Sequence, residues 1–252
     1  MSTGLPPRLP QVLSAPPRGS VLVIAPHPDD ETMGLGGTLV HHARAGDKIT
    51  VVFVGSGIQG DPDGHYPRNE YPQVREAEAR AAAQVLGVSA VRFLGYPDNL
   101  SDEGIHVFGD LPKDPVAARR ALACSFAEIL AKVIEEVPCS IVYYPWVGEL
   151  HADHWQVAQS VVHLMSVRAD LCARIDFLGY DVWTALPPDT VIDISDTMPT
   201  KLDAVRCYAS QLLYQDYEHA VLGLDAYRSL LLERGATYGE AFVGTYRAER
   251  KN

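Results

Sequence analysis

Two clusters of acidic and histidine side chains stand out in the sequence. The first, His27-Pro28-Asp29-Asp30-Glu31, directly follows a short apolar run. Histidine and aspartate together can hold a divalent metal ion, and a carboxylate that is left over can act as a general base. Because adjacent aspartates cannot both face the same point, one of the pair can ligate a metal while the other stays free to take a proton.

The second cluster is the segment ELHADH, residues 149–154. A catalytic zinc ion takes three histidine or carboxylate ligands and keeps a fourth position for water, whose pKa falls to about 7. Two histidines and one aspartate from the two clusters would satisfy that need. The spare carboxylate would accept a proton from the water, and the spare histidine, if protonated, would stabilise an oxyanion. This set suits metal-assisted amide hydrolysis, and iron(II) suits the same ligands as zinc.

The surrounding pattern predicts how the clusters are positioned. From Ser20 onward, short β-branched runs alternate with helical stretches, which is typical of βαβ units and a parallel sheet in an α/β domain. Residues 21–25 and 140–144 are predicted strands, and each cluster follows one of them. Open parallel sheets form their ligand crevices at the carboxyl ends of the strands, so the two clusters are expected to converge.

The ends of the chain are less regular. Residues 1–19 contain five prolines and are predicted to form an extended arm before an α/β domain of residues 20–252. One helix is predicted from residue 197 to about 214 and a last one at about 224–233. The segment 238–252 is expected either to cover a sheet edge or to line a subunit contact, which leaves a homo-oligomer open.

Composition excludes several classes of function. The chain has 252 residues, with 21 Lys and Arg against 32 Asp and Glu and a net charge of −11, which disfavours nucleic acid as a partner. The four cysteines form no CxxC pair and indicate a reducing compartment. No apolar run is long enough to cross a membrane and no signal peptide is evident. The sequence therefore predicts a cytoplasmic protein without a membrane partner.

Two simpler interpretations compete with a metal site. The segment HPDDE alone could be a turn in which an aspartate caps the next helix. The glycine run at residues 34–37, GLGG, lacks the G-x-G-x-x-G spacing of a dinucleotide loop and is interpreted as close helix packing beneath the site. The long polar segment 55–72 is expected to overhang the site.

At this point the sequence resembles a known family, the PIG-L or LmbE-like zinc-dependent N-acetylglucosamine deacetylases. The resemblance rests on VLVIAPHPDDETMGLGGTL near the N-terminus, VREAEARAAAQVLGV and FLGYPD in the middle, HADH at 151–154 and KLDAVRCYASQ near the C-terminus. These motifs span about residues 20–215. Members act mostly on N-acetylated amino sugars, among them GlcNAc-inositol and its phospholipid form, GlcNAc-malate, chitobiose and sugar-bearing antibiotics.

The resemblance implies a Rossmann-like three-layer α/β fold with a mostly parallel sheet in a single domain. It also implies one zinc ion per chain and assigns roles to particular residues. The metal ligands would be His27, Asp30 and His154, and Asp29 would be the general base on a zinc-bound water. His151 would polarise the acyl carbonyl and stabilise the oxyanion, with Asp153 orienting it. The implied enzyme is a zinc-dependent N-deacetylase with a small amino-sugar substrate.

The sequence departs from the commonest family pattern in two places. Ala152 stands where many members have proline, a change outside the inferred ligand set. Glu149 stands near a position where some sugar deacetylases have a tyrosine thought to assist the intermediate, and Tyr143 or Tyr144 could replace it only if the chain bends back. Arg68, in the loop after the second strand, is the candidate substrate clamp, with Asn99 a second candidate for substrate binding.

Three functions therefore compete. The leading hypothesis is a metal-dependent hydrolase that removes acetyl from an N-acetylated amino sugar or its glycoside conjugate. The second keeps the metal but acts as a hydratase or lyase on an unsaturated carboxylate, which calls for a cationic clamp such as Arg68, or as an amidase on a thiol conjugate. The third is a non-catalytic sugar- or nucleotide-binding module, against which the presence of both a ligand triad and a free base argues.

Overall fold

Within the described residues of the computed structural model, 9–98, 114–244 and 246, eight strands form one sheet. The strands are β1 (Gln11–Leu13), β2 (Val21–Ala25), β3 (Ile49–Gly55), β4 (Ala90–Tyr96), β5 (Ile141–Pro145), β6 (Asp176–Tyr180), β7 (Thr190–Asp193) and β8 (Gly239–Val243). Their spatial order is β1-β7-β8-β6-β5-β2-β3-β4. All neighbours are parallel except β8, which runs antiparallel to β6 and β7.

Eight α-helices cover this sheet in the same described segments. They are α1 (Asp30–Ala45), α2 (Tyr71–Leu86), α3 (Pro115–Glu136), α4 (Ala152–Val167), α5 (Ala169–Cys172), α6 (Met198–Val205), α7 (Ala209–Leu212) and α8 (Tyr217–Arg228). A 3-10 turn, Ser229–Leu231, follows α8. None of the helices in this part of the chain combines the length and apolar character that crossing a bilayer requires.

The core lies on both faces of the sheet, as β2 illustrates. Side chains of a strand alternate between faces, and Val21, Val23 and Ala25 pack among residues of α1, α2 and α6, while Leu22 and Ile24 pack among residues of α3 and α4. Every residue of β2 is buried because helices cover both sides. The predicted three-layer, mostly parallel α/β fold is confirmed.

The glycine run in α1 allows close packing, as the sequence predicted. A Cβ on Gly34 would lie 2.4 Å from the ring of Tyr180, and one on Gly37 would lie 2.7 Å from the side chain of Ile194. These two glycines therefore let α1 approach the sheet more closely than any larger residue would.

The C-terminal part differs from the sequence prediction. The single helix predicted for residues 197–214 is two helices, α6 and α7, because Tyr208 has a non-helical backbone (φ −86°, ψ 54°) and its hydroxyl hydrogen bonds to buried Glu31 at 2.6 Å. The last helix begins earlier than predicted, at Tyr217, where the Asp216 side chain accepts the backbone N–H of His219. Within the segment 238–252, residues Gly239–Val243 form β8 inside the sheet rather than a cover over its edge. The subunit contact stays a prediction.

The N-terminal arm is extended where it is described. Its residues Gln11–Leu13 form β1 and pair in parallel with β7 at one edge of the sheet. The proposed boundary between arm and domain at residue 19 stays a prediction.

Candidate active site

The two clusters meet at the carboxyl end of the sheet. β2 and β5 are parallel neighbours, and the turns that follow them carry His27 and His151. The ring centroids of these two histidines are 5.1 Å apart, and the ring of His154 lies 5.4 Å from that of His27 and 4.6 Å from that of His151. One ligand nitrogen of each ring lies within 4.8 Å of the other two, so the three histidines form a candidate metal site.

Asp30, which the sequence predicted as a metal ligand, lies next to two of these histidines. Its Oδ2 lies 3.4 Å from Nδ1 of His27 and 3.3 Å from Nε2 of His154. Bonds of about 2.0–2.2 Å at tetrahedral angles place zinc ligands about 3.3 Å apart, so this spacing fits. Neither nitrogen of the buried His154 ring has a hydrogen bond of good geometry. Because a buried polar atom without a partner is costly, these residues fit a divalent ion.

Carboxylates also face the other ring nitrogens of His27 and His154. Asp153 Oδ2 lies 3.1 Å from Nε2 of His27, and Glu149 Oε2 lies 3.5 Å from Nδ1 of His154. Although burial lowers the pKa of both imidazoles, the adjacent carboxylates outweigh it, and the pKa of His154 rises to about 9. Such carboxylates commonly orient metal-ligating histidines. The contact of Asp153 with His27 is one that the sequence did not predict.

His151 occupies the N-cap of α4 and lines the cavity. Its Nδ1 accepts the backbone N–H of Asp153 at 3.3 Å, which assigns the hydrogen of the neutral ring to Nε2. Burial and the neighbouring rings of His27 and His154 lower its pKa. His151 is therefore suited to donate a hydrogen bond as a neutral ring, rather than as the protonated ring that the sequence allowed for.

Asp29 has an unusual backbone. It is the non-glycine residue with positive φ in the described chain (φ 121°, ψ −29°), a conformation that costs about 1–3 kcal/mol. Its N–H donates to Glu31 Oε2 at 3.2 Å. The two adjacent carboxylates have different partners, since Asp29 Oδ2 faces Arg75 whereas Asp30 Oδ2 faces His27 and His154. Burial raises the pKa of Asp29 to about 6, although the adjacent Arg75 opposes the shift, and a pKa in this range suits a general base. The side chain makes no helix-capping hydrogen bond, so the capping interpretation is not supported.

The cationic side chain at the cavity differs from the predicted clamp. Arg75, on α2, donates from Nη2 to Asp29 Oδ2 at 3.0 Å and to the carbonyl oxygen of Pro28. Its Nε and Nη1 are buried and have no hydrogen bond. Arg68 is exposed and is not among the described residues that line the cavity. Asn99 lies outside the described residues.

Asp98 fixes the long loop that the sequence expected to overhang the site. Its carboxylate accepts the backbone N–H groups of Gly57 and Gln59, both at 2.8 Å. Gln211 donates to the carbonyl oxygen of Gly60 on the same loop at 3.1 Å. No role was predicted for Asp98, although it lies just after a strand, in the motif FLGYPD, and that position could have indicated a role at the site.

Glu149 holds a second turn at the site. Its buried carboxylate accepts the N–H groups of Val182, Trp183 and Thr184 at 2.7–3.4 Å. Neither tyrosine that was considered as a replacement at this position lines the cavity. Tyr143 hydrogen bonds to His42 and Tyr246, Tyr144 packs on the opposite face of the sheet, and Tyr217 is the tyrosine among the described residues that line the cavity.

These residues enclose a cavity of about 210 Å³. Its polar lining comes from the segments after β2, β3, β4 and β5 and from Arg75 on α2 and Gln211 on α7. Met33, Trp183 and Tyr217 add apolar surface. The lining residues are His27, Asp29, Asp30, Met33, Gly57, Gln59, Gly60, Arg75, Asp98, His151, Asp153, Trp183, Gln211 and Tyr217.

The chain is similar in sequence to proteins named as deacetylases. A probable N-acetyl-alpha-D-glucosaminyl L-malate deacetylase 2 of Bacillus anthracis is 26% identical over 216 residues, 80% of this chain and 88% of that protein. A 1D-myo-inositol 2-acetamido-2-deoxy-alpha-D-glucopyranoside deacetylase of Actinosynnema mirum is 30% identical over 241 residues, 81% of this chain and 84% of that protein.

A solved structure has the same fold. The N,N'-diacetylchitobiose deacetylase of Pyrococcus horikoshii superposes with a TM-score of 0.66 at 24% identity, covering 89% of this chain and 82% of that one. The family model described as PIG-L, GlcNAc-PI de-N-acetylase, matches residues 22–165, which contain both clusters of the site. The predicted resemblance and the prediction of an enzyme of the deacetylase class are confirmed, and the chain belongs to the PIG-L family.

Proposed function

We propose that this protein is a metal-dependent hydrolase that removes the acetyl group from an N-acetylated amino sugar or its glycoside conjugate. One observation carries the proposal: Asp30 Oδ2 lies 3.4 Å from Nδ1 of His27 and 3.3 Å from Nε2 of His154, the separation of ligands on one metal ion, beside the buried carboxylate of Asp29. The names of the relatives support the substrate class, since they act on acetylated glucosamine conjugates.

His27, Asp30 and His154 would hold the ion, which we propose to be zinc. When bound, the metal supplies Lewis-acid chemistry that makes water more acidic and polarises the acyl oxygen. Asp30 is anionic and both imidazoles are oriented by carboxylates, so the site matches a divalent cation. His151 would serve as a third nitrogen ligand only by giving up its place as a hydrogen-bond donor, so we assign the ligand role to Asp30.

Asp29 and His151 carry the proton chemistry in this proposal. Asp29 takes a proton as water oxygen bonds to the acyl carbon, and Nε2–H of His151 donates a hydrogen bond to the oxygen that becomes negative. When the C–N bond breaks, the proton passes to the leaving nitrogen, and the products are acetate and a free amine. Arg75 holds Asp29 in place through Nη2.

The described cavity does not favour the hydratase and lyase alternative. That chemistry calls for a cation to bind the substrate carboxylate, and the predicted clamp, Arg68, is exposed away from the cavity lining. The arginine that does line the cavity, Arg75, already pairs with Asp29.

Acetate release from GlcNAc, chitobiose, GlcNAc-inositol and GlcNAc-malate tests the proposal. We expect release from at least one of them, its loss with a chelator, and its return with zinc. Metal-loaded protein that is inert toward all four would overturn the deacetylase assignment. Activity that persists after complete metal removal would overturn the metal dependence.

Asp29→Asn tests the base assignment separately. We expect this variant to keep its metal but to lose acetate release by about 10²- to 10⁴-fold, the usual contribution of general base catalysis. Asp170→Asn, an exposed aspartate on α5, is the matched control and should keep wild-type rates. Full activity in Asp29→Asn would show that another group takes the proton.

A further inference from the structure

Trp183 is an exposed aromatic side chain at the mouth of the cavity. It is 58% exposed and belongs to the cavity lining. Its ring centroid lies 6.2 Å from that of His151, with an angle of 33° between the ring planes. The indole therefore lies beside the imidazole that we assign to the acyl oxygen, rather than at a distant part of the surface.

The turn that carries Trp183 is held firmly. Three consecutive backbone N–H groups of this turn donate to Glu149, as described above. Thr184 adds two bonds: its hydroxyl accepts the N–H of Leu150 at 3.0 Å, and its carbonyl accepts Nε1 of Trp146 at 2.7 Å. An exposed indole on so well anchored a backbone is preorganised to bind a ligand, because little freedom is left to lose on binding.

The rest of the lining indicates what such a ligand would be. Met33 and Tyr217 add apolar surface, while Gln59 and Gln211 bring side-chain amides to the same cavity. A pyranose ring has an apolar C–H face and a rim of hydroxyl groups, which matches a wall of this mixed kind. A flat aromatic surface suits the C–H face, and amides suit the hydroxyl groups.

We propose that Trp183 is a specificity-determining residue that stacks against the pyranose ring of the substrate. The inference rests on the proposed function, since it places that ring next to the amide beside His151. Trp183 takes no proton and binds no metal, so its contribution is to substrate binding. Its loss should therefore raise KM more than it lowers kcat.

The kinetic test compares ring and open-chain substrates. The metal-loaded Trp183→Ala and Trp183→Phe variants are assayed with N,N'-diacetylchitobiose, GlcNAc and N-acetylglucosaminitol, the open-chain alditol. We expect Trp183→Ala to raise KM for the ring substrates about tenfold, equivalent to about 1.4 kcal/mol, with kcat changed much less. Trp183→Phe should recover most of the loss, and KM for the alditol should not change.

Trp155→Phe is the matched control, because Trp155 lies on α4 beneath the Arg119 guanidinium and outside the cavity lining. It should behave as wild type with every substrate. An equal rise in KM for ring and open-chain substrates in Trp183→Ala, or no rise at all, would overturn the stacking role while leaving the deacetylase assignment intact.

A binding measurement separates this inference from the proposed function. The glucosamine disaccharide has no acetyl group to lose, so its binding to metal-loaded protein can be followed by tryptophan fluorescence without turnover. We expect a saturable change in emission in wild type and in Trp155→Phe, and none in Trp183→Phe. That result in a protein that releases no acetate would support sugar stacking on Trp183 and refute the hydrolase. An emission change in Trp183→Phe as large as that in wild type would refute the stacking.

Discussion

Two buried clusters of charge lie along α1, and their polar atoms are used in opposite ways. The lysine cluster consists of Lys201, Asp225 and Glu240. Lys201 Nζ donates to Asp225 at 2.8 Å and to Glu240 at 2.7 Å. Glu240 also accepts the backbone N–H groups of Gly37 and Thr38, at 2.8 and 2.7 Å, in the middle of α1. Every member of the lysine cluster is therefore hydrogen bonded.

The active-site cluster, His27, Asp29, Asp30, Asp153 and His154, lies at the first turn of the same helix. Here both nitrogens of His154 lack a hydrogen bond of good geometry, and Asp29 is held at positive φ. The lysine cluster satisfies backbone groups at a break in α1. Leu35 is non-helical there (φ −149°, ψ 20°), just before the two N–H groups that donate to Glu240. The active-site cluster instead leaves ring nitrogens without hydrogen bonds, so they are available as ligands for a cation, and it holds a carboxylate in a strained turn.

The largest effect expected from this comparison is on the lysine cluster. Lys201→Met removes the only lysine of that cluster and leaves Glu240 and Asp225 buried without a cation. Breaking a buried ion pair in this way costs about 3–5 kcal/mol. Urea unfolding should show the loss directly. Lys48→Met, at an exposed lysine outside the cluster, is the control and should change stability little. If both variants are equally stable, the helix N–H groups alone are enough to stabilise the buried carboxylate of Glu240.

A smaller effect is expected at the link between the two halves of the active site. Glu149→Ala removes the carboxylate that faces His154 Nδ1 and holds the turn of Trp183. Loss of a carboxylate that orients a metal-bound histidine weakens metal binding by about 10- to 100-fold. Competition with a metal-binding dye measures this without reference to turnover.

Glu128→Ala, on the distant helix α3, is the matched control for Glu149→Ala. Its metal affinity should equal that of wild type. Unchanged affinity in Glu149→Ala as well would show that the carboxylate holds only the loop, and that the orientation of His154 comes from packing.

How far the sequence leads can be judged from individual residues. The segment 21–25 was predicted as a strand and is β2, because its apolar run is buried on both faces. The convergence of His27 with His154 was also predictable, since carboxyl ends of neighbouring parallel strands meet at one edge. These features depend on local pattern and on one general rule of sheet topology.

Other features depend on contacts between distant segments, and the sequence could not predict them. The partners of Glu149 are backbone N–H groups more than thirty residues later in the chain, and a backbone group carries no residue-specific signal. β8 inserts antiparallel between β6 and β7, a pairing that its five residues do not encode by themselves. The Arg75 contact with Asp29 joins α2 to the turn after β2 in the same way.

The smallest expected effect concerns the backbone of Asp29. Asp29→Gly and Asp29→Ala both remove the carboxylate and both leave Arg75 without its ion pair, but only glycine relaxes φ 121°. At ordinary positions in helices or strands glycine is less stable than alanine by about 0.5–1 kcal/mol. Here we expect the reverse, with Asp29→Gly more stable than Asp29→Ala by about 1 kcal/mol or more, because positive φ is strained for any residue with a Cβ. Chemical denaturation of the two variants at one pH measures the difference. If alanine is equal or better, the turn bears no strain at this residue, and the contrast between a relaxed lysine cluster and a strained active site fails at its most specific point.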